Sequence, residues 1–377
     1  MPRQALEERV TEMKAIVIEE HGGPEVLLYK DVPDPEPGDG DVVIRVGALT
    51  VNPGPDALTR EGRFGLPGFK LPHIAGIDPA GEVVAVGDGV TSPAVGDRVV
   101  VYPIISCGAC DWCRREVGEQ YCRQWRLWGA QTWGGRAEYA RMPARNVVAL
   151  PDGVSFEAAA AAGISYNTTW HGIVDRGGLS EEDTLLVTGA AGGCGVAAIQ
   201  IGRLYGARVI AISGAEWKRA RAVEIGADHA FDAHDPDWPE HVREVTDGRG
   251  ASIVLDSVGE ASWPLSMSCL DQGGRFVCCG TTTGSAMTFD AREMYRKLIS
   301  MHFWHNGTKR SLETLISHIA AGDVDPVIDS RFALKDTADA ERKLASQDHF
   351  GKIILLPPAP GAPRETAGGA ADGLVRT

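Results

Sequence analysis

A short apolar strand that runs through glycines into a helix is the feature that most narrows what this chain can fold into. Leu185-Leu186-Val187-Thr188 leads into Gly189-Ala190-Ala191-Gly192-Gly193-Cys194-Gly195, and then into VAAIQIGRLYG, a helical pattern. Glycines between a strand and a helix let the backbone approach a bound group closely. The helix start offers free N–H groups and a positive dipole end, the arrangement that binds a pyrophosphate. Read without its surroundings, the turn is also an ordinary tight strand-to-helix connection. The surroundings favour the first reading. Strand-like runs at 208–213 (RVIAIS), 252–259 (SIVLDSVG) and 274–280 (GRFVCCG) alternate with helical segments up to about Phe303. That alternation predicts a parallel, doubly wound sheet.

The flanks read differently. Short β patterns begin at Met13 (KAIVIEE) and recur at Asp41–Val46, Gly81–Val86 and Asp97–Tyr102, each bounded by Gly, Pro or Asp. Such spacing predicts an antiparallel, barrel-like region. An Ala-rich helical segment follows at Phe156–Gly163, and after residue 310 a helix (LETLISHIAAG) and a last strand, KIILLP (352–357), return to the first style. The fold class is therefore α/β, and 377 residues suit two domains at ~150 residues each. Residues 13–160 and 300–357 are assigned to the barrel-like domain and 161–299 to the dinucleotide-binding domain. Residues 1–12 are expected to form a loose arm, and the Pro/Gly/Ala-rich 358–377 a disordered tail.

Charge and hydropathy exclude several classes of function. The chain carries 37 Lys+Arg against 51 Asp+Glu, a net charge of −14, which does not suit nucleic acid or an anionic membrane. No apolar run approaches the ~18 residues that span a bilayer. The N-terminal stretch has no apolar core ahead of a cleavage site, so the expected compartment is the cytoplasm. There thiols stay reduced, and clustered cysteines more often bind metal than pair. Cys107-x2-Cys110-x2-Cys113-x8-Cys122 is such a cluster. Four thiolates fit one tetrahedral Zn²⁺ with no open position, a structural rather than catalytic site; an iron–sulfur cluster is the alternative.

The cofactor is read at the end of the second parallel strand. An NAD site places Asp or Glu there for the ribose hydroxyls. This chain has Ser213-Gly214, followed by Glu216, Lys218 and Arg219. A hydroxyl and two cations suit a 2′-phosphate, so NADPH is expected, with NADH as the alternative.

GGPEVL (22–27), PHIAGIDPAGEVVAVG (72–87), the four-cysteine lobe, TWGGRAEYA (132–140), GAAGGCG (189–195) and FGKIILLP (350–357) together resemble the medium-chain dehydrogenase/reductase superfamily, over about residues 13–357. The resemblance implies a GroES-like catalytic domain built from both ends of the chain around a Rossmann domain, and a homodimer. Alcohol dehydrogenases of that family hold a catalytic zinc with Cys, His and Cys, helped by a Glu. Here those positions read Val51-Asn52-Pro53, Ile77-Asp78 and about Ile164. One carboxylate cannot hold a zinc that needs three protein ligands. The Asn52-Pro53-x-x-Asp56 string, with Arg60 and Gly62, is similar to the zinc-free quinone oxidoreductase branch, whose members reduce quinones and enones with NADPH.

By that resemblance Gly192, Gly193 and Gly195 meet the pyrophosphate, and Ser213 and Lys218 the adenosine phosphate. Thr168, Cys279 and Thr281 lie at the nicotinamide, and Lys352 reaches a cofactor phosphate, unless it is an exposed strand-edge lysine. Candidate catalytic groups are Asn52, Tyr166 and Asp78. Each has a structural alternative: a turn before Pro53, a core aromatic and a backbone anchor. Trp125, Trp128, Trp133, Phe303 and Trp304 suggest an apolar or aromatic carbonyl or quinone substrate, or else core and interface packing. A zinc-type alcohol or aldehyde dehydrogenase and a non-catalytic NADPH-binding structural or regulatory protein are the competing readings.

Overall fold

The computed structural model describes residues 12–115 and 118–359. The expected arm and most of the expected tail lie outside them. No described helix is long and apolar enough to cross a membrane.

Six strands form one fully parallel sheet in the spatial order His229–Asp232, Arg208–Ser213, Thr184–Thr188, Ala251–Asp256, Leu270–Cys278 and Ser300–Phe303. Numbered along the chain this is 3-2-1-4-5-6, the doubly wound order. The first strand, Thr184–Thr188, is central, so its residues Leu185, Leu186 and Val187 are buried on both faces. That is why the run is continuously apolar rather than alternating. The reversal of strand order beside it opens a crevice at the carboxyl ends of the strands, directly at Gly189.

A second sheet runs Ile328–Ala333, Lys352–Leu356, Asp41–Thr50, Ala80–Val86, Arg98–Val101, Val147–Ala149, with Tyr139–Pro143 also on Asp41–Thr50. All its pairings are antiparallel except Ile328–Ala333 with Lys352–Leu356. This is the GroES-like half, and its last strand comes from the far end of the chain. Ile354 pairs with Thr50 and Leu355 with Leu49, which brings Lys352 beside Asn52 across a separation of 300 residues.

One boundary expected from the sequence moves. Ser300–Phe303 was assigned to the barrel-like half, but it pairs in parallel with Leu270–Cys278 as the outer strand of the six-stranded sheet. Four residues with one side exposed carry too little pattern to reveal which sheet they join.

The segment from Phe156 to Arg176 links the two sheets. Ser155 caps it, its hydroxyl accepting from the Ala158 N–H. Two π-helical turns, Ala162–Tyr166 and His171–Arg176, interrupt the α-helix. Such turns re-aim side chains and are frequent at functional sites. The first of them carries Ser165.

Candidate active site

The glycine turn is shaped for a group that lies against the backbone. Gly189 has φ +61°, in the left-handed region. A Cβ on Gly195 would fall 2.3 Å from the Gly189 carbonyl, and one on Gly193 2.5 Å from Ser165 Oγ. The helix Gly193–Leu204 starts with no side-chain cap, so its first N–H groups are free for a ligand. These features fit a dinucleotide pyrophosphate. Gly192, Gly193 and Gly195 lie at this turn. At the far end of the crevice, Ser213 and Gly214 end the second parallel strand. Arg219 donates from Nη1 to both their carbonyls, at 3.2 and 2.6 Å, and pairs with Asp232 at 3.2 Å. The Lys218 ammonium donates to the Gln347 carbonyl. On the other side, Cys279 donates its N–H to the Asp256 carbonyl, and Thr281 closes the next turn with Gly284.

Next to the glycine turn is a buried polar cluster. The Asp78 carboxylate is fully buried and accepts three hydrogen bonds. Oδ1 takes the Thr50 N–H at 3.1 Å, and Oδ2 takes the Thr50 hydroxyl at 2.5 Å and the Asn52 side-chain amide at 2.9 Å. The Asn52 oxygen then accepts from the Lys352 ammonium at 2.7 Å, and Ser165 Oγ lies 3.3 Å from the same nitrogen. Lys352 is 4% exposed. Burial pulls its ammonium below the ordinary lysine value, against the opposing pull of Asp78, Cys194 and Asp56. The Cys194 thiol is drawn down to about 7, first by the hydrogen bond from Cys279 and then, against burial, by Thr169, Lys352 and Ser165.

A catalytic zinc does not fit this cluster. Asp78 has spent its oxygens on Thr50 and Asn52, an amide is a poor zinc ligand, and the nearest cation is already a lysine. Among the described residues, a single group of three or more His, Cys, Asp or Glu donors is close enough to share one ion. It is Cys107, Cys110, Cys113 and Cys122, in the separate lobe. There the sulfurs stand 3.9 Å (Cys107–Cys113), 3.5 Å (Cys110–Cys113) and 3.9 Å (Cys110–Cys122) apart. A tetrahedron with Zn–S bonds of about 2.3 Å has edges of about 3.8 Å. Backbone N–H groups of Ala109 and Cys110 point at the Cys107 sulfur, and those of Cys107 and Gln124 at the Cys122 sulfur. They neutralise part of the thiolate charge, as outer contacts of metal sites do. The donor set is compatible with one zinc ion.

One expectation changes in the structure. Tyr166 is fully buried, and its hydroxyl donates to Gln200 Oε1 at 3.0 Å and accepts the Val327 N–H at 3.0 Å. Both hydrogen-bonding roles are used, and burial pushes its phenol further up. It is a strut in the core rather than part of the cluster. Lys352 is buried against Asn52, which removes the exposed strand-edge alternative, and its Cδ borders the glycine turn at Gly193. Thr168 lies near the crevice, where its carbonyl accepts from the Trp304 indole at 3.0 Å.

Two of the five aromatics are packed into the scaffold and two are exposed. Trp128 is buried with its indole on the Arg141 carbonyl, Trp304 lies against Gly172, and Trp133 and Phe303 are exposed. Trp125 is the exception. Half-buried and 4.7 Å from the His305 ring, it joins Phe64, Leu66 and Ile164 on one core cluster. Ile164 follows Gly163, whose Cβ would stand 3.2 Å from that of Asp78.

Ser165 and Thr50 complete the cluster but were not singled out from the sequence. Nothing in the sequence marks them, because a serine in a helical run and a threonine ending a strand are commonplace.

Residues 38–152 match the family model for the alcohol dehydrogenase GroES-like domain, and residues 193–321 that for zinc-binding dehydrogenase. The chain is 29% identical over 353 residues to the quinone oxidoreductase of Homo sapiens, covering 91% of this chain and 98% of that protein. It is 30% identical over 354 residues to the acryloyl-coenzyme A reductase of Metallosphaera sedula, covering 91% and 99%. A crystal structure described as an NAD-dependent alcohol dehydrogenase superposes with a TM-score of 0.87 at 36% identity, over 91% of this chain and 99% of that one.

Proposed function

The chain belongs to the medium-chain dehydrogenase/reductase superfamily and is an NAD(P)-dependent oxidoreductase; from that premise we propose that it reduces quinones or α,β-unsaturated carbonyl compounds with NADPH, without a catalytic zinc. The observation that carries this reading is the Thr50–Asp78–Asn52–Lys352 cluster, which stands where zinc-dependent relatives would place metal donors. The names of the quinone oxidoreductase and acryloyl-coenzyme A reductase relatives support it. A metal Lewis acid is what makes unactivated alcohols and aldehydes tractable. A conjugated carbonyl needs less, because charge arriving with a hydride spreads onto a conjugated oxygen.

When bound on the glycine turn, a nicotinamide coenzyme supplies the hydride. The protein's part is to orient and to exclude water. Gly192, Gly193 and Gly195 seat the pyrophosphate. Thr168, Cys279 and Thr281 flank the nicotinamide end. Trp125, Phe64, Leu66 and Ile164 offer an apolar wall to the acceptor. Asn52 and Asp78 fix the polar floor. The lobe holds one structural zinc per chain. Exposed Phe303 on the outer strand, with Tyr295 and Leu298 nearby in sequence, supports a homodimer joined along Ser300–Phe303. Eight unpaired cysteines suit a cytosolic setting.

The test is NADPH oxidation, followed by absorbance, against quinones, enones, enoyl thioesters and simple aldehydes. Turnover on the conjugated acceptors, with at least a hundredfold less on aldehydes, is the expected result. Turnover confined to aldehydes or alcohols overturns the reading and favours the alcohol dehydrogenase alternative, for which the 36% identical structure speaks. Coenzyme binding with no turnover on any acceptor favours a binding protein.

Coenzyme preference has its own expected result. No acid stands at Ser213–Ala215 to meet ribose hydroxyls. Lys218 and Arg219 lie in the first turn of the next helix, Glu216–Glu224, close in sequence to that strand end, and two cations there suit a 2′-phosphate. Lys218→Glu is expected to raise the KM for NADPH about tenfold, the loss of one charge-assisted hydrogen bond of about 1.5 kcal/mol, and to leave that for NADH nearly unchanged. Steady-state titration with both coenzymes checks it.

A further inference from the structure

We infer that Cys194 and Cys279 form a modification site, a pair of thiols that a hydroperoxide converts into a reversible disulfide across the coenzyme crevice. The inference goes beyond the hydride chemistry above and takes from it only the seating of the coenzyme.

Placement supports it first. All eight cysteines are unpaired, and four of them form the lobe cluster. Of the other four, Cys269 and Cys278 are buried, while Cys194 and Cys279 are only partly covered. Cys194 is the second residue of the helix Gly193–Leu204, and its carbonyl accepts the Thr169 hydroxyl at 3.2 Å. Cys279 follows the strand Leu270–Cys278, and its N–H donates to the Asp256 carbonyl at 3.1 Å. The two thiols meet from opposite sides of the crevice and hydrogen-bond to each other. Each is followed by a glycine packed on backbone. A Cβ on Gly195 would fall 2.3 Å from the Gly189 carbonyl, and one on Gly280 2.6 Å from that of Ser257, so both segments are anchored beside the sulfurs.

The unlike states of the two sulfurs support it second. Cys194 sits at an uncapped helix start, whose positive dipole end favours a thiolate. The hydrogen bond with Cys279, then Thr169, Lys352 and Ser165, draw it down to about 7 against burial. Cys279 is pushed up, by that same hydrogen bond, by burial, and by Cys194, Cys278 and Asp256. One sulfur is an anionic nucleophile and its neighbour a protonated thiol, the division between an attacking and a resolving cysteine.

The chemistry balances with hydrogen peroxide as the oxidant. The Cys194 thiolate attacks one peroxide oxygen, the O–O bond breaks, and hydroxide leaves and takes a solvent proton. The sulfur is now a sulfenic acid, oxidised by two electrons. The Cys279 sulfur then attacks it, the S–O bond breaks, and the oxygen leaves as water with the Cys279 proton. Two thiols and one peroxide become one disulfide and two waters. A bond of about 2.05 Å would tie the glycine-turn helix to the loop at the nicotinamide end. A coenzyme that runs from Gly193 to Cys279 has to cross this gap, so disulfide and coenzyme exclude each other.

The experiment treats the full chain, as wild type, Cys194→Ala and Cys279→Ala, with hydrogen peroxide. Peptide mass mapping follows the crosslink, fluorescence the NADPH Kd, and metal analysis the lobe. Wild type is expected to form the Cys194–Cys279 disulfide, to lose NADPH binding with its metal content unchanged, and to regain binding with dithiothreitol. NADPH at ten times its Kd is expected to slow the crosslink about tenfold, because only the free fraction reacts. Neither variant is expected to lose binding relative to its own untreated state, and Cys279→Ala is expected to hold a Cys194 sulfenic acid that dimedone traps.

Two thiols that stay free in the peptide map, or a crosslink that joins Cys278 to Cys279, would overturn the inference. So would the mapped disulfide with NADPH Kd unchanged, or a loss of binding in Cys194→Ala that follows loss of metal from the lobe. If either variant does not fold, the wild-type map and its protection by NADPH decide alone. Reduced wild type that binds neither NADPH nor NADH is the separate failure of the coenzyme seating, and the map still decides the bond.

Discussion

Replacing Arg136 with methionine is expected to destabilise the protein by about 3–5 kcal/mol, although Arg136 touches no part of the coenzyme crevice. Its guanidinium is fully buried between two acids. One nitrogen lies 2.6 Å from Glu341 Oε1 and another 3.1 Å from Asp56 Oδ2. Glu341 is also held by Arg60 at 2.7 Å, and Asp56 accepts the Asn52 N–H at 2.8 Å. The set contains two cations and two anions. Removing one cation leaves an uncompensated negative charge beneath the Asn52 turn. For a chain of this length the loss corresponds to a fall in melting temperature of roughly 5 °C. Arg136→Lys is expected to recover little, because an ammonium cannot span both carboxylates as the planar fork does. Adding Glu341→Gln to Arg136→Met is expected to recover part of the loss, and denaturant titration of the four variants in a double-mutant cycle measures it.

The pH dependence follows from the two acids, which have opposite signs. Burial opposes ionisation of Glu341, but Arg136 and Arg60 outweigh it and hold the carboxyl below its usual value. A depressed carboxyl stabilises the fold above the unfolded value of 4.5, and that contribution is lost as pH falls through the folded one. Asp56 is pushed up to about 6 by burial, which Arg136 offsets only in part. A raised carboxyl stabilises the fold below its unfolded 3.8 and loses that contribution as pH rises through about 6. Without Arg136 the Asp56 value rises further. The destabilisation of Arg136→Met is therefore expected to be larger at pH 8 than at pH 5. Equal losses at both would mean that Asp56 is not the group left unpaired.

Metal removal has the second large expected effect. Purified protein is expected to carry one zinc per chain, and Cys110→Ser or a strong chelator to abolish it. The lobe has little apolar core of its own. Trp112 stacks on Tyr121 at 5.6 Å, while Glu119 accepts from the Tyr102 hydroxyl and the Lys309 N–H, both at 3.2 Å. Gln120 reaches His171 at 3.2 Å. With the ion gone, four thiols within 4.8 Å of one another have no reason to stay together, so residues 107–122 are expected to open before the sheets melt. Limited proteolysis reads this as cleavage confined to the lobe. Loss of the lobe also frees Trp125, three residues past Cys122, and kcat/KM is expected to fall about tenfold with coenzyme Kd unchanged. Metal analysis below about 0.2 ions per chain, with all four thiols reactive in the native protein, would rule out the structural zinc.

What the sequence determined by itself was whatever depends on neighbours along the chain. The strand–glycine–helix turn, the parallel alternation and the four-cysteine spacing are local patterns, because backbone approach and ligand spacing are set within about sixteen residues. The absence of zinc ligands at Asn52, Asp78 and Ile164 was legible for the same reason. The roles of Lys352, Ser165 and Tyr166 were not. A lysine opening the strand Lys352–Leu356 reads as a coenzyme contact or as an exposed edge residue until that strand pairs with Asp41–Thr50 and the register buries it against Asn52. Arg136 and Glu341 are 205 residues apart, and no periodicity announces their pairing. Ser300–Phe303 joined the parallel sheet because an edge was available there, not because four residues encode it. Only the tertiary structure decides such matters, because burial and pairing belong to surfaces assembled from distant segments, and the cost of a buried charge exists only once they have come together.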